Sequence, residues 1–306
     1  MYDLIIIGGG PAACAAGVYA ARKQLKTLLI AKEFGGQSIV SPGIQNWIGT
    51  IEIPGDELAK SLKAHVVAYA GNFVNIQEGV TAEKVMGTES PFIVTASNGE
   101  TYESRAVLVA SGARRRKLAT PGADIFEHRG LTYCATCDGP LFSGMDVAVI
   151  GGGNAGFESA AQLLAYVKSV TLLDIGEHFR AEPVTVEKVL AHPSMRGITH
   201  AKILEITGNK MVDGLVYENI KTGEQHTLPV QGVFVEIGTI PNTNMLEGVV
   251  NLNAHKHAEV DPRTQRTNVP GIWAAGDCTD GLYAQNNIAV GDAVKALEDI
   301  FVHLRA

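Results

Sequence analysis

Cys134-Ala135-Thr136-Cys137-Asp138-Gly139 is the stretch of this sequence best suited to covalent chemistry. Two cysteines separated by two residues can close a small disulfide and reopen it as a dithiol. In that spacing one thiol usually has a lowered pKa, so a thiolate is available at neutral pH to attack another disulfide. Asp138, next in line, can supply or accept the proton that each half-cycle moves. Two other readings of the spacing exist. A zinc site needs a second pair at matching spacing, and the remaining cysteines, Cys14 and Cys278, are isolated. A structural disulfide belongs to exported chains. Here Met1-Tyr2-Asp3 runs straight into the apolar residues 4–7, with no basic region or cleavage site, and is not read as a signal peptide. The pair is therefore expected to be redox-active, and no metal is expected.

The elements around this pair repeat. Residues 3–16 read DLIIIGGGPAACAA and residues 146–159 read DVAVIGGGNAGFES. Each is an apolar strand-like run, a triple glycine and an Ala-rich helical segment. A second apolar strand follows, residues 26–30 in the first copy and residues 169–173 in the second. This is one βαβ nucleotide-binding unit used twice. Glycine permits the tight turn and a close backbone approach to a pyrophosphate, which then sits on the N–H groups of the helix start. The first copy has Gly8 and Gly10, with Ala13 in the third glycine position, and its ribose acid is expected to be Glu33, beside Lys32. The second has Gly151, Gly153 and Gly156, and its second strand ends on Asp174. An acid about twenty residues past the turn is placed to hydrogen-bond a ribose 2′-hydroxyl and to repel a 2′-phosphate, so this site is expected to take NAD rather than NADP. Capping of a helix or loop is the bland alternative for Asp174.

Between the copies, Phe34-Gly35-Gly36-Gln37 and Ile44-Gln45-Asn46-Trp47 read as loops whose amides can bond a flat polar ring. Residues 56–70 read as an amphipathic helix with Leu58, Leu62, His65, Val66 and Tyr69 on one face. Residues 73–113 read as short strands, the last ending in small residues near Ser111 and Gly112, where it would pass close to a dinucleotide. Arg114-Arg115-Arg116-Lys117 reads as a solvated linker or, more sharply, a docking patch for an acidic partner. Alternating strands over 201–237 lead to Val235-Glu236-Ile237-Gly238. A strand at 272–277 then ends on Asp277, and a helix follows over about 285–304 whose N-terminus would face a flavin. The histidines form no metal set: His255 and His257 read as exposed and His128 as a surface residue, while Cys14 and Cys278 read as core.

The chain has 306 residues, enough for two domains, and 46% hydrophobic against 19% charged residues is the balance of a globular enzyme. A net charge of −7 argues against nucleic acid as a partner, and no apolar run approaches the length of a membrane span. A cytoplasmic location is expected from the cysteine usage and the N-terminus.

CATCDGP, GGGPAA, FGGQ, QNW, GGGNAG, IGTIPNT and AAGDCTDGLYAQ occur here in the order found in low-molecular-weight thioredoxin reductases, and the chain resembles that family over essentially its whole length. Within it the motifs are most similar to the flavoprotein component of alkyl hydroperoxide reductase, whose additional N-terminal thioredoxin-like module is expected to be absent. The resemblance implies an α/β fold of two Rossmann-like, three-layer ββα dinucleotide-binding domains. Residues 1–115 and 243–306 would form an FAD domain, and 116–242 an inserted nicotinamide domain carrying the CxxC. It implies FAD held by Gly8, Gly10, Pro11, Ala12, Glu33, Gly36, Gln37, Asn46, Ser111, Gly112, Gly276, Asp277, Ala284 and Gln285. NADH, rather than NADPH, would be held by Gly151, Gly153, Asn154, Ala155, Gly156, Asp174, Arg180, Ile237 and Gly238. Cys137 would face the flavin, Cys134 would attack the partner's disulfide, and Asp138 would be the acid–base group. Electrons would pass from nicotinamide to flavin, to the Cys134–Cys137 disulfide, and then to thioredoxin or a thioredoxin-like protein. The first alternative is an adaptor that feeds a peroxiredoxin; an NADH oxidase and a non-enzymatic nucleotide sensor rank behind it, because the CxxC-Asp and both glycine turns are intact. Such reductases are homodimers. Three departures stand out. Asp174-Ile175-Gly176 replaces the His-Arg-Arg run of NADP-specific members, with only Arg180 kept; Ala284-Gln285-Asn286 replaces Arg/Lys-Gln-Ala/Ile; and Ser111 replaces Thr. Loss of both guanidiniums removes the bidentate grip on a 2′-phosphate.

Overall fold

The computed structural model describes residues 1–41, 43, 44 and 46–305, with the side chains of all of them except Val40, Thr136 and Cys137. The chain forms two compact units, Met1–Arg114 with Ile240–Ala306, and Arg115–Thr239. In order, the first leg carries β1 (Tyr2–Ile7), α1 (Pro11–Arg22), β2 (Thr27–Ala31), α2 (Gly55–Ala70), β3 (Val74–Glu78), β4 (Ala82–Met86), β5 (Phe92–Ala96) and β6 (Thr101–Val109). Next come β7 (Ala113–Arg115), β8 (Leu131–Thr132), α3 (Ala135–Asp138), β9 (Asp146–Ile150), α4 (Asn154–Leu163) and β10 (Ser169–Leu173). They are followed by α5 (Pro183–Leu190), β11 (Met195–Ile198), β12 (Ala201–Gly208), β13 (Val212–Asn219), β14 (Gln225–Pro229) and β15 (Gly232–Val235). The chain closes with β16 (Thr239–Pro241), β17 (Ile272–Ala274) and α6 (Asn286–His303).

The first unit is built on a seven-stranded sheet ordered β3-β2-β1-β6-β5-β4, with β17 also on β6. The side-chain alternation of a strand splits its core into two. Leu4 and Ile6 of β1, with Leu29, Leu108 and Trp273, face the helices through Ala13, Ala16, Val66 and Leu297. Ile5 and Ile7, with Leu28, Ile30 and Val107, face β4 and β5 through Val85, Phe92 and Val94. Helix, parallel sheet and antiparallel strands thus make three layers, and each fully buried large side chain contributes about 1.5–3 kcal/mol. The buried face of α2 is Leu58, Ala59, Val66 and Ala70, while His65 and Tyr69 are exposed. That corrects the face read from the sequence. The small residues allow α1 close, and the two rings pair edge-on at the surface, 5.3 Å apart.

The second unit repeats the plan. Its five-stranded parallel sheet is ordered β11-β10-β9-β15-β8. Val147, Val149, Leu172 and Phe234 pack on the α4 side through Phe157, Ala160 and Leu163. Ala148, Ile150, Leu173 and Val235 pack on the antiparallel sheet β12-β13-β14 through Ile206, Val212 and Leu215.

Candidate active site

In the second unit all five sheet strands run parallel, so their carboxyl ends share one edge. The chain leaves β9 for β10 on one side, while β15 lies on the other. Such a reversal leaves a crevice at the carboxyl ends where ligands bind. Gly151 follows β9 at φ 117°, and a Cβ there would lie 2.1 Å from the carbonyl oxygen of Glu236, the residue after β15. Gly156 is tighter, since its Cβ would stand 1.8 Å from the Gly151 carbonyl oxygen. Gly153 begins α4 with no side-chain cap, and a Cβ on it would meet nothing within 4 Å. Asn154 turns to the start of α5, accepting from the Glu182 N–H at 2.9 Å, and Ala155 is exposed. The first N–H groups of α4 therefore border open space that a side chain would fill and that suits a phosphate.

Asp174, after β10, is only 3% exposed. Its Oδ2 accepts from the Gly152 N–H at 2.6 Å and its Oδ1 from the Gly176 N–H at 2.7 Å, so the carboxylate ties the glycine turn to its own loop. Arg180 is largely exposed and reaches within 3.9 Å of it. Ile237 is half-buried against the core, and Gly238 (φ 92°) has free space where a Cβ would be.

The CxxC begins at the end of β8. Thr132, a buried residue, donates its hydroxyl to Asp138 Oδ2 and accepts from the Cys134 N–H at 3.2 Å. The Asp138 N–H closes the turn on the Cys134 carbonyl at 3.1 Å. Cys134 is in the disulfide-bonded state, and the Cys137 side chain lies outside the described residues. The other two cysteines differ in kind. Cys14 is buried, its thiol pushed up to about 12 by desolvation, and Cys278 is fully buried with its thiol also pushed up. Burial disfavours the thiolate that redox exchange needs, so both are packing residues.

The first unit carries a matching edge. Gly8 (φ 135°) would place a Cβ 2.1 Å from the Ala110 carbonyl oxygen. Gly10 precedes Pro11 and Ala12 at the uncapped start of α1, and only Gly36 lies near the position its Cβ would take, at 4.0 Å. Gly276 touches both helix starts: its Cβ would meet Ala12 at 3.5 Å and Ala289 of α6 at 3.1 Å. Glu33 is exposed, with no hydrogen bond to its side chain among the described residues. Asp277 is half-buried, burial pushes its carboxyl up, and nothing among the described residues hydrogen-bonds it. Several other expected ligand groups are bonded within the protein. Gln37 Nε2 donates to the Ala113 carbonyl at 2.7 Å, Asn46 Nδ2 to Gln285 Oε1 at 2.9 Å, and Ser111 Oγ to the Asn242 carbonyl. Asn242 Nδ2 donates back to the Ser111 carbonyl at 3.0 Å, and the Asn242 backbone N–H donates to the Gly112 carbonyl at 2.9 Å. Ala284 is exposed just before α6, and Gln45 lies outside the described residues.

The basic run is engaged within the chain. Arg114 bonds Asn242 at 3.0 Å, Arg115 pairs with Glu236 at 3.2 Å and Lys117 with Glu127 at 2.7 Å. His255 and His128 are exposed, whereas His257 is half-buried, correcting its expected exposure. It lies there because the 256–260 segment runs beside 277–280, Ala258 donating to the Cys278 carbonyl at 2.9 Å. Among the described residues no cluster of His, Cys, Asp or Glu fits a metal ion, and no helix is long and apolar enough to cross a membrane.

The sequence model of the pyridine nucleotide-disulphide oxidoreductases matches residues 2–293. The chain belongs to that family. Members of this oxidoreductase family use FAD and a nicotinamide nucleotide, and both uncapped glycine turns suit a dinucleotide. Among curated proteins the chain is 40% identical over 303 residues to "NADH dehydrogenase" of Bacillus subtilis (strain 168), covering 99% of this chain and 58% of that protein. It is equally 40% identical to the F component of the alkyl hydroperoxide reductase of Staphylococcus aureus (strain MRSA252), covering 99% of this chain and 59% of that protein. The chain thus spans somewhat under three fifths of these relatives. Among solved structures, thioredoxin reductase of Lactococcus lactis in its FR conformation superposes with a TM-score of 0.90 at 29% identity, and that of T. acidophilum with 0.87 at 35%. Each comparison covers 100% of this chain and 99% of the other.

Several residues of this oxidoreductase's site escape a reading by sequence. Thr132 is signalled only by its place two residues before Cys134, a spacing common to hydroxyl–backbone turns. Asn242, which meets Ser111 in the first unit, and Ser159 and Arg115, which both meet Glu236 in the second, pair with distant segments and carry no local signature.

Proposed function

We propose that this chain is an FAD-containing, NADH-dependent reductase of protein disulfides, acting as a homodimer on a thioredoxin-like protein. The observation that carries the proposal is the Thr132 bridge between the Cys134 backbone and the Asp138 carboxylate, on the edge that also holds the second glycine turn. It supports a proton-handling acid fixed beside a disulfide-bonded cysteine, as thiol–disulfide exchange requires. FAD would be held in the first unit by Gly8, Gly10 and Gly36 at the start of α1, with the carboxylates of Glu33 and Asp277 available to accept from its hydroxyls. Nicotinamide dinucleotide fits the second, on the start of α4 beside Gly151, Gly153 and Gly156. When bound, the two cofactors supply hydride transfer and the passage of an electron pair to the disulfide. Asp138 holds or moves the proton at the departing thiol, and Cys134 is the nucleophile toward the partner's disulfide. NADH preference is supported by Asp174, whose buried charge opposes a 2′-phosphate while Ile175 and Gly176 offer no cation. A second reading, a flavoprotein that feeds an adaptor and a peroxiredoxin, is favoured by the similarity to the alkyl hydroperoxide reductase component of Staphylococcus aureus.

NADH oxidation by the purified flavoprotein, with oxidised thioredoxin as acceptor and NADPH alongside, tests the proposal. NADH-selective turnover is expected. If NADH bleaches the flavin but thioredoxin stays oxidised, the second reading takes its place. Equal rates with NADPH would refute the role given to Asp174.

A further inference from the structure

We infer that Glu236 binds the nicotinamide half of the dinucleotide, with Arg115 and Ser159 setting its carboxylate; the inference rests on the reading of the second glycine turn as a nicotinamide site. Three observations lead there. First is position. Glu236 follows β15, Gly151 follows β9, and these neighbouring strands flank the point where the strand order reverses. Asp174 stands on the β10 side of that point, where an adenosine ribose would lie. A dinucleotide extended across the crevice therefore brings its other half to the β15 side.

Second is how the carboxylate is held. Its side chain is 10% exposed. Oε1 accepts from the Ser159 hydroxyl of α4 at 2.8 Å and from Arg115 Nη1 at 3.2 Å, while among the described residues Oε2 receives only the longer Arg115 contact at 3.4 Å. A carboxylate oxygen takes about two donors, so Oε2 has acceptor capacity left. The nicotinamide carboxamide and its ribose hydroxyls are donors.

Third is charge. Burial pushes the Glu236 carboxyl up and the neighbouring Glu158 adds to this, but Arg115 and the Ser159 bond oppose it. In its ionised form, paired with Arg115, the carboxylate favours the positively charged ring of the oxidised nucleotide over the neutral reduced one. It thereby favours departure of the hydride.

Calorimetric binding of NAD+ and of ADP-ribose, which lacks the nicotinamide, to the full-length flavoprotein tests this. Glu236→Gln keeps the side chain's shape and removes its charge. It should weaken NAD+ by about tenfold, the difference between a charged and a neutral hydrogen bond, and leave ADP-ribose within about twofold of wild type. Equal loss for both ligands would make Glu236 a scaffold residue, and no loss for either would remove it from the site; both overturn the inference. Should that variant fail to fold, Arg115→Met carries the test. Burial and Glu158 then hold the carboxyl up against the Ser159 bond alone, so NAD+ affinity should strengthen as pH rises while ADP-ribose affinity stays flat. Two flat profiles would overturn the inference. If the wild type binds neither ligand, the nicotinamide reading of the second unit fails and the inference falls with it.

Discussion

The two glycine turns share one backbone device and use their acids in opposite ways. Gly8 and Gly151 both hold a positive φ, and a Cβ on either would stand 2.1 Å from a carbonyl oxygen just past the neighbouring strand. Both turns feed a helix that no side chain caps. The difference lies after the second strand. Glu33 is exposed and unbonded among the described residues, whereas Asp174 is buried and spends an acceptor position of each oxygen on the turn itself. An acid at this place in a βαβ unit can thus select its cofactor in two ways. It can accept from a ribose directly, or it can fix a negative charge where a second phosphate would have to go.

Substitution of the turn glycines should have the largest effect. Gly8→Ala forces a strained φ, about 1–3 kcal/mol from the backbone alone, and drives Cβ into the Ala110 carbonyl. The purified protein should be colourless. Gly151→Ala should stay yellow yet fail to be bleached by NADH, because only the second turn is damaged. A yellow Gly8→Ala would erase the assignment of FAD to the first unit. The third glycine position sharpens the contrast. Gly156→Ala should abolish nicotinamide binding, its Cβ lying 1.8 Å from the Gly151 oxygen, while the first copy already accepts Ala13, and Ala13→Gly should cost only about 1 kcal/mol through helix propensity.

The acids should separate next. Asp174→Ala leaves the buried Gly152 N–H and the half-buried Gly176 N–H without their acceptor and should destabilise the second unit by about 1–3 kcal/mol, read as a lower thermal midpoint. Glu33→Ala should shift stability by no more than about 0.5 kcal/mol while weakening FAD retention. Similar melting of the two variants would contradict the comparison.

Asp277 gives the smallest effect and one with a pH sign. Burial raises its carboxyl in the folded chain, so the folded state holds the proton longer than the unfolded one. The stability that this lends is complete below the ordinary Asp range and is lost as pH rises through the raised value. Asp277→Asn should flatten that window in the FAD-stripped protein and stabilise it at neutral pH, at the expense of FAD affinity. An unchanged pH profile of the melting temperature would show that the carboxyl is not perturbed.

The glycine turns and the CxxC were legible in the sequence because their function depends on local spacing. The three layers followed from apolar strands that alternate with helices, and the face of α2 was misread only where His65 and Tyr69 fall at helical spacing but outside the packed stripe. Glu236, Thr132 and Asn242 were not legible. Each acquires its role from pairing across the fold: β8 beside β15, Arg115 against Glu236, Ser111 against Asn242. Asp174 was found by spacing, yet its bonds to Gly152 and Gly176 depend on a loop conformation that spacing does not encode.

The most direct test of a flavin and a disulfide in series is an anaerobic NADH titration of the purified flavoprotein, with flavin absorbance followed to its endpoint. A disulfide and a flavin each take an electron pair, so the wild type should need about two equivalents of NADH per chain and Cys134→Ser about one. A wild-type endpoint at one equivalent, unchanged by the substitution, would mean that the Cys134 disulfide receives no electrons from the flavin, and the account would be wrong.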